Sequence, residues 1–192
     1  MIYLQQKNTF IANGKTDKTL RQQLQVEGID PRRFSRFTQL ALLGALPLKN
    51  SIQPTCGIYL GSPFNSPSKF DKMFHQLSEY DIPSPLDFMA NINNAATFQL
   101  AQIFQTMGNS IFLPINQKTI WQPLQLAELD LINGDIEQAL IGWVLEGNRE
   151  KQTEGAVFWL VSKESESAVK KLTVLPKCED GYLDFLSIVQ KI

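Results

Sequence analysis

Apolar residues along this chain fall into two kinds of run. Residues 2–12 alternate or run apolar enough for a first strand, and short, nearly unbroken runs occur at 55–61, 110–115, 138–144 and 155–162. Runs of that length, rich in Ile, Val and aromatic residues, predict strands buried on both faces. Between them apolar residues recur every three or four positions, as helices require. A short helix is predicted within 15–29, after an Asn13-Gly14 turn. Asp30-Pro31 predicts the start of a second helix carrying Phe34, Phe37, Leu40, Ala41 and Gly44, stopped by Pro47. Ser68 is expected to cap a third, through about residue 79, with Phe70, Met73, Phe74 and Leu77 facing inward. Asn93 or Asn94 starts another, and Gly108 ends it. Thr119 and Gln122 are expected to form a capping box for a helix that Gly134 ends, with Pro123 in its first turn. Pro114 places the end or a bulge of its strand at that residue. Beyond residue 163 come a charged stretch, a strand-like KLTVL and a helix-like segment from Tyr182. The order predicts an α/β fold, a mixed sheet of about five strands with helices on both faces.

Composition narrows the function. The net charge of −1 supplies no basic field for nucleic acid or an anionic membrane. Arg32, Arg33 and Arg36 are the one local cationic cluster. Two cysteines, Cys56 and Cys178, and a single histidine, His75, build neither a disulfide framework nor a four-ligand zinc site. No metal and no cofactor is expected. Cys56 reads as a small buried apolar residue. The first residues lack the apolar core of a signal peptide, and no run approaches the ~20 residues of a membrane span. A soluble cytoplasmic protein is expected.

Several local pieces, taken in order, carry a resemblance. Arg36, Phe37, Thr38, Gln39, Leu40 and Ala41 open the second helix, and CGIYLGS ends a strand in glycine. Asn94, Ala96, Gln99 and Gly108 precede the strand IFLPI, which leads to Asn116-Gln117-Lys118. Glu154-Gly155-Ala156 opens the last long strand. This succession resembles the N-terminal half of a β-ketoacyl synthase, a thiolase-like fold. It is strongest over residues 30–162 of a single expected domain spanning 1–192, with 163–192 as a C-terminal extension. In that family a nucleophilic cysteine sits where the strand turns into the helix. Counting back from Ala127 places Gln117 there, and both cysteines of this chain are far away.

Condensation needs a thiolate to take the acyl chain and two histidines to stabilise developing charge. The family's histidines belong to its second half, and His75 reads as structural. A glutamine in place of the cysteine marks chain length factors, the inactive partners of type II polyketide ketosynthases. It also marks decarboxylating loading domains, which keep their histidines. The resemblance therefore implies a shortened chain length factor of the aryl polyene type. Such a subunit is non-catalytic, pairs with a full β-ketoacyl-ACP synthase and meets an acyl carrier protein through the complex. It further implies pairing through Ile111, Phe112, Leu113 and Ile115, an acyl-tunnel wall at Leu86, Phe88, Met89 and Ile92, and carrier-protein contacts at Arg32, Arg33 and Arg36.

Two helices fit a half that stands without its mate. Gln122, Gln125 and Glu128 oppose Ile120, Leu124, Ala127 and Leu131; Gln99, Gln102 and Thr106 oppose Leu100, Phe104 and Met107. The competing readings are a small hydrolase, acyltransferase or malonyl-thioester decarboxylase using Ser35, Ser110, His75 or Asp71, and a free-standing acyl or carrier-protein binding module. No Gly-x-Ser-x-Gly elbow supports the first of these.

Overall fold

The computed structural model describes residues 2–82, 84–147, 153–165 and 168–172. The expected helix from Tyr182, Cys178, Pro83 and most of the KLTVL strand lie outside them. Six strands form one sheet in the order β3-β2-β4-β5-β1-β6. They are β1 (Ile2–Ile11), β2 (Gly57–Ser62), β3 (Ser110–Pro114), β4 (Gln138–Leu145), β5 (Gly155–Ser162) and the short β6 (Lys170–Leu172). β3, β2 and β4 run parallel; β5 is antiparallel to both β4 and β1. β4 and β5 are buried on both faces, which is why their sequences run apolar without alternation.

Side chains still alternate between the faces. Ile58, Leu60, Leu140, Val144, Phe158 and Leu160 point to one core, shared with α2 (Arg36–Ala45) and α5 (Ala95–Phe104). Tyr59, Ile141, Trp143, Val157, Trp159 and Val161 point to the other, against α6 (Gln122–Asn133). A side chain on Gly142 of β4 would meet the Phe158 ring at 2.3 Å, so this glycine makes room for an aromatic on the neighbouring strand. The sheet is mixed, with helices on both faces, as the periodicity predicts.

Local signals misplaced several boundaries. α2 begins at Ser35, whose hydroxyl accepts the Thr38 N–H, and not at Asp30-Pro31. Asp30 spends its carboxylate on the Arg32 guanidinium and backbone instead. α3 (Pro67–Tyr80) does not turn Phe70, Phe74 and Leu77 inward; all three are exposed, because among the described residues no layer covers that side of it. α5 ends at Gln105, in the left-handed region at φ 56°, three residues before Gly108. Gly108 instead permits a close backbone approach, since a Cβ there would lie 2.5 Å from the Cys56 carbonyl oxygen. Met107, expected on an apolar stripe, is exposed, since the helix has ended before it. Ile120, Leu124, Ala127 and Leu131 are buried as expected.

Candidate functional site

The C-terminal ends of the parallel strands β3, β2 and β4 lie side by side, the edge where open α/β sheets build their sites. Gln117 follows β3 on this edge. Its turn is closed by two reciprocal caps: the Asn116 carboxamide oxygen accepts the N–H groups of Lys118 (2.8 Å) and Thr119 (3.2 Å), and the Thr119 hydroxyl accepts the Asn116 N–H (2.8 Å). Thr119 thus closes the turn and forms no capping box with Gln122; α6 starts at Trp121 with Pro123 in its first turn. The turn is tied to β4 by the Trp143 indole N–H, which donates to the Ile120 carbonyl at 2.7 Å. Gln117 is half-buried at this strand-to-helix junction.

On the same edge of the sheet, just past the end of β4, Glu146 is only 3% exposed. Its carboxylate accepts the Phe37 N–H of α2 (2.8 Å), the Ser66 hydroxyl (2.9 Å) and the Ser68 N–H of α3 (3.0 Å). One anion therefore serves the N-termini of two helices. Burial pushes its carboxyl above the ordinary range, against those three donors. The sequence pattern puts Glu146 in a polar loop. Its only signal there is a lone acid closing a buried strand.

α4 (Pro85–Ala90) carries three of the four tunnel-wall candidates. Leu86, Phe88, Met89 and the following Ile92 are all exposed. Asp87, between them, points inward. Burial disfavours its charge, but Lys69 (2.7 Å), Lys72 (2.8 Å) and the capping Ser84 outweigh that and hold its carboxyl at about 2. Asn65 donates to the carbonyls of Asn91 and Ile92 and fixes the far end of α4. A cavity of about 340 Å³ lies beneath it, lined by Leu86, Met89 and Ala90 together with Arg33, Thr38 and Lys69.

The arginines separate. Arg36 is a half-buried anchor: its guanidinium binds Glu154 at 2.5 and 2.9 Å, Asp17 and the Lys15 carbonyl, and this pairing raises its already high basicity. It offers no free surface charge. Arg32 is paired with Asp30, and Arg33 is exposed on the cavity rim.

β3 is the outermost strand on its side of the sheet. Ile111, Phe112 and Leu113 are half-buried along it, while Ile115 lies just past the strand in the core. Ser35 is used in the α2 cap, Ser110 sits on β3, and His75 faces the Tyr80 ring on α3. Among the described residues no hydrogen bond joins any two of Ser35, Ser110, His75 and Asp71, and no three His, Cys, Asp or Glu side chains cluster to hold a metal. Cys56 is buried, its thiol pushed up to about 12 by desolvation. No helix among the described residues is long and apolar enough to cross a membrane.

A scan against protein-family models finds no match, and neither does a search of curated proteins. Solved structures do match. One is a chain in the complex of the ketosynthase ApeO with its chain length factor ApeC from Xenorhabdus doucetiae, with 16% identity over 86% of this chain and 80% of that one, at a TM-score of 0.64. A second is the ishigamide ketosynthase/chain length factor, with 12% identity, 88% and 63% coverage and a TM-score of 0.66. Ketosynthase twelve of the Bacillus amyloliquefaciens bacillaene synthase matches at 12% identity and a TM-score of 0.61, with 84% of this chain covering 41% of that one. The fold is thus the thiolase-like fold of ketosynthases and chain length factors. The chain spans four-fifths of the first neighbour's length but less than two-thirds of the other two.

Proposed function

We propose that this chain is a non-catalytic subunit, similar to a chain length factor, that pairs with a complete β-ketoacyl-ACP synthase and shapes its acyl tunnel in polyketide, aryl polyene or fatty-acid-like biosynthesis. The observation that carries the reading is the junction at Gln117. Gln117 lies in the strand-to-helix turn after β3; by the resemblance this is the nucleophile's position, and an amide there can donate and accept hydrogen bonds but cannot attack a thioester. The neighbours that are complexes of a ketosynthase with a chain length factor support the same reading.

β3 supplies the pairing edge. Its outer N–H and C=O groups are a template for another strand, and Ile111, Phe112 and Leu113 give that edge an apolar surface. The tunnel wall falls to Leu86 and Met89, which line the 340 Å³ cavity, with Phe88 and Ile92 beside them. Arg33 and Arg32 on its rim are the carrier-protein contacts in this reading; Arg36 is not. The test is co-expression with a full-length ketosynthase from the same genome, followed by affinity purification on one tagged subunit. A stoichiometric complex is expected. A chain that stays monomeric and elutes apart from the ketosynthase would overturn the proposal.

A further inference from the structure

α3 and α4 form a hairpin that stands away from the body of the protein. Beyond Pro67 no residue of α3 is buried, and α4 buries only Asp87. The hairpin is fastened at its two ends, by Glu146 at the start of α3 and by Asn65 at the end of α4. Between the helices runs a groove of about 530 Å³ lined by Met73, Phe74, Leu77, Pro85, Phe88 and Met89. Exposed apolar surface of this kind marks an interaction site. Methionines at both walls let such a groove mould to its occupant.

Two observations choose the occupant. The first is continuity. Phe64, just past the end of β2, meets the Phe70 ring edge-on at 6.1 Å, and Phe70 stacks on Phe74 at 6.2 Å. This aromatic row leads from the end of β2, where Ser62 pairs with Pro114 of β3, out along the hairpin to the groove. The second is charge. The nearby cations, Lys69 and Lys72, share the Asp87 carboxylate outside the groove, and among the described residues no ionisable side chain lines the groove itself. A phosphate-bearing lipid or an acidic protein finds no free counter-charge inside it.

We infer that the α3–α4 groove receives an amphipathic helix of the same ketosynthase that pairs with β3, so that the hairpin clasps the partner at a second point. This inference rests on the pairing proposed above. A groove between two helices suits a helix whose apolar residues recur at three- and four-residue spacing. α4 then has two working faces: Leu86 toward the inner cavity, Pro85 and Phe88 toward the groove, with Met89 lining both.

The experiment compares three variants with the wild type, each titrated against the purified full-length ketosynthase. Phe74→Ser/Leu77→Ser and Phe88→Ser strip the two groove walls. Ile111→Lys puts a charge on the β3 edge. The groove residues are exposed, so melting temperatures of their variants should match the wild type. A loss of affinity of ten-fold or more is expected in both groove variants and in Ile111→Lys. Undiminished affinity in the groove variants, with loss in Ile111→Lys, overturns the clasp and leaves the β3 pairing standing. No binding by the wild type overturns both. Binding of the wild type, but not the groove variants, to phosphatidylglycerol/phosphatidylcholine vesicles with ketosynthase affinity unchanged would assign the groove to lipid. Self-association abolished by the same variants, again with ketosynthase affinity unchanged, would assign it to a second copy; either result overturns the inference.

Discussion

Glu146 at the end of β4 accepts the backbone N–H of Ser68, the second residue of α3, at 3.0 Å. Through that bond a buried residue just past a central strand holds the root of the hairpin carrying the apolar groove. The same carboxylate holds α2 through Phe37. Glu146→Ala should leave these donors unpartnered and cost about 3 kcal/mol. Chemical denaturation measures the loss, and hydrogen exchange should locate it first in α3.

Glu146 also has a pH signature. Its folded carboxyl is raised above the ordinary glutamate value by burial. The stability it contributes is full below the unfolded value and is lost as pH rises through the raised folded value. Measured against Glu146→Gln, which cannot titrate, the wild type should lose ground as pH increases over that window. A gap that is flat with pH would show that its ionisation is not linked to folding.

Asp87 works in the opposite direction. Its folded value of about 2 lies below the usual 3.8. Its stabilisation is therefore complete above the unfolded value and is lost as pH falls toward 2. Asp87→Asn should cost about 1–2 kcal/mol at neutral pH, discounted because Lys72 is more than half exposed. Amide exchange in α4 should quicken while β4 and β5 stay protected.

The proposed tunnel-wall residues allow stability to be separated from product control. Leu86 and Met89 are 68% and 63% exposed, so Leu86→Ala and Met89→Ala should change stability by no more than about 0.5 kcal/mol. In complex with a ketosynthase both should lengthen the products, read by mass spectrometry. Unaltered products from intact complexes would place the gate elsewhere.

Gln117→Cys should give no condensation and no decarboxylation of malonyl thioesters by the purified chain. A thiol at this turn has no histidine pair beside it, and His75 sits on exposed α3. Release of carbon dioxide by the purified variant would disprove this.

Gly142 tests the core. An added methyl meets Phe158 at 2.3 Å and Leu60 at 2.6 Å, so Gly142→Ala should destabilise by about 1–3 kcal/mol through overpacking. Phe158→Leu in the same chain should recover part of it.

The strands were legible in the residues alone. Runs such as GAVFWLV have no polar face, and only a strand covered on both sides can use them. The order of those strands and helices, with the short motifs they carry, was enough to indicate the thiolase-like fold that the solved structures share. Which apolar residues form the core was settled only by the packing of distant elements. The pattern of α3 reads as an inward face, yet Phe70, Phe74 and Leu77 are exposed, because amphipathicity says that a helix has an apolar side and not what stands opposite it. The fate of the charges was settled in the same way. Arg36 and Glu154 are far apart in the chain, and Glu146 sits in a stretch that reads as loop. Only the folded sheet brings the first pair together and places Glu146 at two helix ends. Burial and long-range pairing depend on distances that local spacing does not contain.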